Sequence, residues 1–82
     1  MALAKITRKP RRRRRKYLVH YLPDLEMGGF TAHIPALGVV TEGETLEEAR
    51  EMARDAIKGR IAVLQELGQP IPEDVSPEYL EF

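Results

Sequence analysis

The feature that most constrains this sequence is one long amphipathic pattern in its second half. The apolar stripe consists of Leu46, Ala49, Ala53, Ala56, Ile57, Ile61, Leu64 and Leu67. Its steps of three and four residues predict a helix with a packed face and a solvated, charged face. Thr45 is the predicted N-cap, with Glu48 as capping-box partner, and Gly68 and Pro70 predict the end. Gly59 lies inside the pattern, and we expect close packing against a sheet to explain it.

Two stretches before this helix have the composition of β-strands. Residues 17–22 (YLVHYL) and 30–34 (FTAHI) are rich in β-branched and aromatic side chains, and two adjacent glycines lie between them. This arrangement predicts a β-hairpin. If the turn is symmetric, alternate residues point to opposite faces of the sheet. One face then carries Tyr17, Val19, Tyr21, Phe30, Ala32 and Ile34, and the other carries Leu18, His20, Leu22, Thr31 and His33.

A third, shorter strand is predicted over residues 39–42, because a glycine precedes it and another follows it. The segments together predict an α+β fold of β-β-β-α order, a two-layer sandwich in which one long helix covers one face of an antiparallel sheet. Residues 78–82 (EYLEF) could add a fourth strand or stay without regular structure. The predicted organisation is a disordered basic tail over 1–16, a domain over 17–74, and a C-terminal tail or edge strand over 75–82.

The formal net charge of zero hides two opposite poles. Residues 1–16 contain nine basic and no acidic residues. Residues 17–82 contain four basic and thirteen acidic residues, which gives this part a formal charge of −9. A chain with two such poles can meet two different kinds of partner.

An ordered set of short motifs runs through residues 17–74. The set consists of Gly29-Phe30, Ile34-Pro35, Thr41-Glu42-Gly43, the helix start from Thr45 to Ala49, and IPED at 71–74. In this order the motifs resemble those of the HicB-like antitoxin family. The resemblance implies a partial RNase H-like fold without nuclease activity. It also implies a function, which is to bind and neutralise a HicA-like toxin, a small basic ribonuclease that cleaves mRNA.

Two features depart from the pattern of that family. Its antitoxins usually carry a C-terminal DNA-binding domain, and the residues after Glu73 are too few to form one. The basic leader is also outside the pattern, and a start codon assigned too far upstream would account for it. The resemblance therefore predicts either an antitoxin or an orphan relative without a toxin, and it does not predict control of its own promoter.

Four acidic residues in turns or at strand ends are the candidate toxin-binding residues: Asp24, Glu26, Glu42 and Glu44. Opposite charges would speed the encounter with a basic toxin and fix its orientation. The alternatives are turn formation with a solvated acidic rim, or a metal-dependent nuclease site. A nuclease of RNase H type needs acids that converge on two metal ions from strands and a helix. Turn positions do not predict that geometry, so we expect a protein that is not an enzyme and binds no metal or cofactor.

The five consecutive arginines Arg11, Arg12, Arg13, Arg14 and Arg15 are the candidate nucleic-acid-binding residues. Neutralising several phosphates would give salt-sensitive binding without sequence preference. No aromatic residue interrupts the run, so base stacking is not expected from it. The alternative function is therefore a small nucleic-acid-binding protein, and the simplest interpretation of the run is a solvated tail.

The candidate self-association residues are Leu18, His20, Leu22 and His33, on the sheet face that the helix cannot cover. Exposed leucines on so small a domain favour a dimer or a larger homo-oligomer. The histidines could instead form a metal or acid–base pair, but two ligands make a poor zinc site and the chain has no cysteine. The sequence contains no signal-peptide pattern and no apolar run of membrane-spanning length. We therefore expect a cytoplasmic protein without membrane contact.

Overall fold

The computed structural model describes residues 15–82, in which three β-strands precede one long α-helix. The strands are β1 (His20–Pro23), β2 (Phe30–Ile34) and β3 (Val39–Gly43), and the helix is α1 (Leu46–Glu66). A single turn of 3-10 helix, Pro35–Leu37, joins β2 to β3. The predicted α+β fold of β-β-β-α order is confirmed.

The sheet is antiparallel, and β2 lies between β1 and β3. The register pairs His20 with His33, as the symmetric turn predicted. β1 begins at His20 instead of residue 17 because the ladder cannot continue past Ile34. The next residue on that strand, Pro35, would lie opposite Leu18 and has no backbone N–H to donate.

Hydrogen bonds close both ends of α1. The Thr45 hydroxyl accepts a hydrogen bond from the Glu48 backbone N–H at 3.0 Å, which confirms Thr45 as the N-cap. The Glu48 carboxylate accepts from the backbone N–H of Glu44, one residue earlier than a standard capping box requires. Gly68 ends the helix with φ at 67°. This is the left-handed conformation in which glycine commonly follows the C-terminus of a helix.

The core lies between α1 and the sheet. Its buried cluster consists of Ala32, Ile34, Leu37 and Ala53. Half-buried Tyr17, Val19, Tyr21, Val39 and Ile57 pack against this cluster. Leu46 and Leu67, the two ends of the predicted apolar stripe, stay exposed. Length accounts for Leu67, because a helix of 21 residues spans about 30 Å and strands of five residues span about 17 Å.

Glycines at two positions show where the helix approaches the sheet and where it does not. A Cβ added at Gly43 would lie 2.8 Å from the Cα of Ala49, so β3 and α1 are in backbone contact there. At Gly59 an added Cβ would meet no atom within 4 Å. The prediction that Gly59 packs closely against the sheet is therefore wrong, because this glycine lies on the exposed side of α1.

We expect Gly59→Ala to stabilise the protein by about 1 kcal/mol, because alanine restricts the unfolded chain and fits an open helical position. Thermal and urea unfolding would measure the change. Gly68→Ala is the matched control, since space is also open there but φ is 67°. That variant should destabilise by about 1 kcal/mol. A destabilising Gly59→Ala would contradict the open position of Gly59.

Several predictions concern the two ends of the chain. Residues 1–14, and with them Arg11 to Arg14, lie outside the described residues. Residues 69–82 contain neither helix nor strand, so the fourth strand left open by the sequence is not formed. Across residues 15–82, no helix combines the length and the apolar character needed to span a bilayer.

Candidate functional site

Two turns that are distant in the sequence meet at one end of the sheet. The β1–β2 turn lies against the β3–α1 turn, because Gly29 has φ at 84° and approaches the backbone of Gly43 and Glu44. A Cβ on Gly29 would lie 2.6 Å from the Gly43 carbonyl oxygen. The two turns form a shallow groove lined by Met27, Gly28, Glu42, Gly43, Glu44 and Glu48. We call Met27, Glu42, Glu44 and Glu48 the acidic corner.

The carboxylate of Asp24 shapes the β1–β2 turn. Its Oδ1 atom accepts hydrogen bonds from the backbone N–H groups of Glu26 at 3.0 Å and Met27 at 3.1 Å. The backbone N–H of Asp24 donates to the Gly29 carbonyl at 2.9 Å. These bonds make an Asx-type turn. Asp24, which the sequence offered as a toxin-binding residue or a turn former, therefore has a structural role that positions the turn.

The side chains of the acidic corner are available to a partner. Glu42, Glu44 and Glu48 are all exposed. Among the described residues the one ion pair joins Arg54 to Glu51 at 3.9 Å, on the surface of α1, so no cation within residues 15–82 forms an ion pair with the acidic corner. The Glu48 carboxylate accepts the Glu44 N–H and is thereby held near the groove.

Two apolar side chains project from the β1–β2 turn beside these carboxylates. Leu25 is 91% exposed and Met27 is 85% exposed. Glu26, the residue between them, is exposed as well but does not line the groove. Exposed apolar side chains next to exposed carboxylates form a surface that suits a partner with cations around an apolar patch.

The face of the sheet opposite α1 carries the predicted self-association residues. Cross-strand pairing places His33 between His20 and Val40, and it places Thr31 beside Leu22. His20 and His33 are exposed, Leu22 is 51% exposed, and Val40 is 58% exposed. We call His20, Leu22, His33 and Val40 the open face. The alternation of β3 from Val39 could have identified Val40 from the sequence.

Leu18, the fourth predicted self-association residue, lies just before β1 and is half-buried. Its backbone N–H donates to both carboxylate oxygens of Asp74, at 3.0 and 3.1 Å. The Tyr17 hydroxyl donates to the Pro72 carbonyl at 2.6 Å. Residues 71–74 are thus fastened beside the start of β1.

The two histidines form a pair without a third ligand. Within residues 15–82, no group of three or more histidine, aspartate or glutamate side chains is placed to hold a metal ion.

The Glu42 side chain belongs to the neighbouring cross-strand row, where it lies beside Thr31. The open face and the acidic corner therefore share one strand, β3, and Glu42 lies where they meet.

The acidic corner and the open face are two exposed surfaces with the chemistry of protein contacts. The acidic corner combines three carboxylates with the Met27 side chain, and the open face combines imidazoles with aliphatic side chains. Comparisons with protein-family models, with curated proteins and with solved structures found no match to this chain.

Proposed function

We propose that this protein is a non-enzymatic, cytoplasmic antitoxin of the HicB-like type, or an orphan relative, that captures a small basic ribonuclease at the acidic corner. The observation that supports this most is the meeting of the two turns. It gathers Glu42, Glu44 and Glu48 around the exposed side chain of Met27.

The negative charge of the acidic corner favours a basic partner. Residues 17–82 carry a formal charge of −9. A ribonuclease that binds the RNA backbone presents cations where phosphates dock. Carboxylates held on short turns can occupy those cations and so exclude the RNA. Long-range attraction raises the rate of encounter, and apolar side chains that become fully buried supply most of the affinity. Leu25 and Met27 are the apolar anchors in this proposal.

Self-association through the open face is a separate hypothesis, and sedimentation of a Leu22→Glu variant tests it. Within residues 15–82 one α-helix packs on the sheet, and it covers the face opposite to His20, Leu22, His33 and Val40. Two copies joined there would bury these side chains and present two acidic corners to toxin molecules.

A nucleic-acid-binding function of the arginine run is the second candidate. Nine of the first sixteen residues are basic, and the two of them that the structure describes, Arg15 and Lys16, are exposed. Binding of labelled RNA that weakens steeply with salt, and that disappears when residues 1–15 are removed, would favour this candidate.

The proposed function is tested with a chain that lacks residues 1–15. We expect its melting temperature to stay within a few degrees of that of the full chain, because the strands, the helix and the core cluster that the structure describes lie after residue 16. A small basic ribonuclease recovered with the tagged full chain from its own cells is the enzyme to assay. The shortened chain should inhibit RNA cleavage as well as the full chain, since the removed segment has the same charge sign as the toxin. Inhibition that is lost with residues 1–15, while circular dichroism shows a folded domain, would contradict capture at the acidic corner.

A further inference from the structure

A second groove runs between α1 and the start of β1. The helix packs mainly on β3 and β2, because the backbone contact at Gly43 draws it to that side of the sheet. The sheet is therefore only half covered near β1. The result is an open groove of about 360 Å³. Its apolar floor consists of Tyr17, Val19, Tyr21, Ala53 and Ile57.

Cations surround this apolar floor. The groove is rimmed by Arg15, Arg50, Arg54 and Lys58. Residues 17–82 contain only four basic residues, so three of those four stand at one groove in an otherwise acidic domain. Arg54 is 3.9 Å from the exposed Glu51 carboxylate, a weak surface pair that leaves the rim positive. We call this the cationic groove, and it suits an acidic segment with large apolar side chains.

The C-terminal segment has that composition. Tyr79 is 96% exposed, Leu80 is 66% exposed, and Phe82 is fully exposed. Glu78 precedes them, and Glu81 lies between Leu80 and Phe82. Aromatic and aliphatic side chains left in water on a segment that is otherwise acidic mark an interaction site.

We propose that residues 78–82 of one copy dock in the cationic groove of a second copy, so that two chains exchange their C-terminal segments. The apolar side chains would cover the groove floor, and Glu78 and Glu81 would pair with its rim. In a two-fold symmetric dimer this contact is made twice. The inference does not depend on the proposed function.

The course of the chain favours a second copy over the chain's own groove. Residues 71–74 are fastened beside β1 by the hydrogen bonds of Tyr17 and Leu18. From there the chain contains Pro77 and no glycine, and Pro77 keeps Ser76 extended. A reversal back to the groove of the same copy is disfavoured, and residues 79–82 remain exposed on their own domain.

Sedimentation of the full chain at micromolar concentration tests the exchange. We expect a dimer, and we expect Tyr79→Ala with Phe82→Ala to raise its dissociation constant by at least about 30-fold. Both side chains are exposed within one copy, so the variant should stay folded, and its melting temperature should fall only by the stabilisation that dimer formation gave the parent chain. Leu22→Glu on the open face is the comparison variant. A monomeric parent chain, or a dimer that Leu22→Glu disrupts and the tail variant does not, would overturn the exchange.

A charge swap separates exchange between copies from docking within one copy. Glu78→Lys with Glu81→Lys reverses the tail, and Arg50→Glu with Arg54→Glu and Lys58→Glu reverses the rim of the groove, where Arg15 is then the remaining cation. Each of these two variants alone should be a monomer, because its tail and groove then carry like charges. An equimolar mixture should form a heterodimer, because each tail meets a groove of opposite sign. A mixture that stays monomeric, with both variants folded by circular dichroism, would overturn the proposal.

Discussion

Replacing Gly43 with alanine should destabilise the domain by about 3 kcal/mol, the upper range for forced overpacking. The added Cβ would lie 2.8 Å from the Cα of Ala49 and the same distance from the backbone carbon of Glu48. These are backbone atoms of a capped helix, so no side-chain rotation relieves the clash. β3 and α1 must separate instead. Because small domains have little stability to lose, much of the variant should be unfolded at 37 °C.

Urea unfolding followed by circular dichroism would measure this loss. Gly28→Ala is the matched control, because φ is 83° at Gly28 and an added Cβ meets no atom within 4 Å. That variant reports left-handed backbone strain alone and should cost about 1–2 kcal/mol. The φ angle of Gly43 is not positive. The stability lost in Gly43→Ala therefore reports the clash alone. A Gly43→Ala cost below that of Gly28→Ala would show that helix and sheet separate freely.

The elements of the fold that depend on local chemistry could be predicted from the sequence. The Thr45 cap, the Gly68 ending and the pairing of His20 with His33 each follow from a few neighbouring residues. The close approach of helix and sheet could not be assigned in the same way. A glycine has no side chain to indicate what comes near it, so Gly59 was given the packing role that belongs to Gly43.

For the candidate sites too, single residues could be identified from the sequence, but their neighbours in space could not. Glu42 and Glu44 were identifiable as acids at a strand end, but their meeting with Met27 depends on how two distant turns fold together. Glu48 was interpreted only as a capping residue, and its exposed carboxylate also lines the corner. The cationic groove could not be predicted from the sequence, because the residues of its rim lie on the charged helix face that the amphipathic pattern predicts to be solvated. Only the offset of α1 from β1 sets that face beside an apolar floor.

Reversing Glu42 and Glu44 to lysine should slow capture of a basic ribonuclease by about 10-fold or more at low salt. Both carboxylates are exposed at the acidic corner. Charges at the rim of an interface mainly set the association rate, whereas buried anchors set the dissociation rate. The salt dependence of association should flatten, and the dissociation rate should change less. Stopped-flow association and surface-based dissociation with an inactivated ribonuclease would measure both rates.

The control variant changes the formal charge of the domain by the same amount, but at another place on its surface. Asp55→Lys with Glu66→Lys alters two exposed residues, one near the middle of α1 and one at its end, and the corner adjoins its first turn. If the ribonuclease docks at the corner, this control should retain most of the parent association rate, because screening in about 0.15 M salt limits charge effects to about 8 Å. Equal slowing by both variants would mean that net charge alone attracts the ribonuclease. Docking at the corner predicts that the Glu42 and Glu44 variant associates more slowly than the control variant, whereas attraction by net charge predicts equal association rates. The comparison of these two rates therefore decides whether the two turns form the toxin-binding surface.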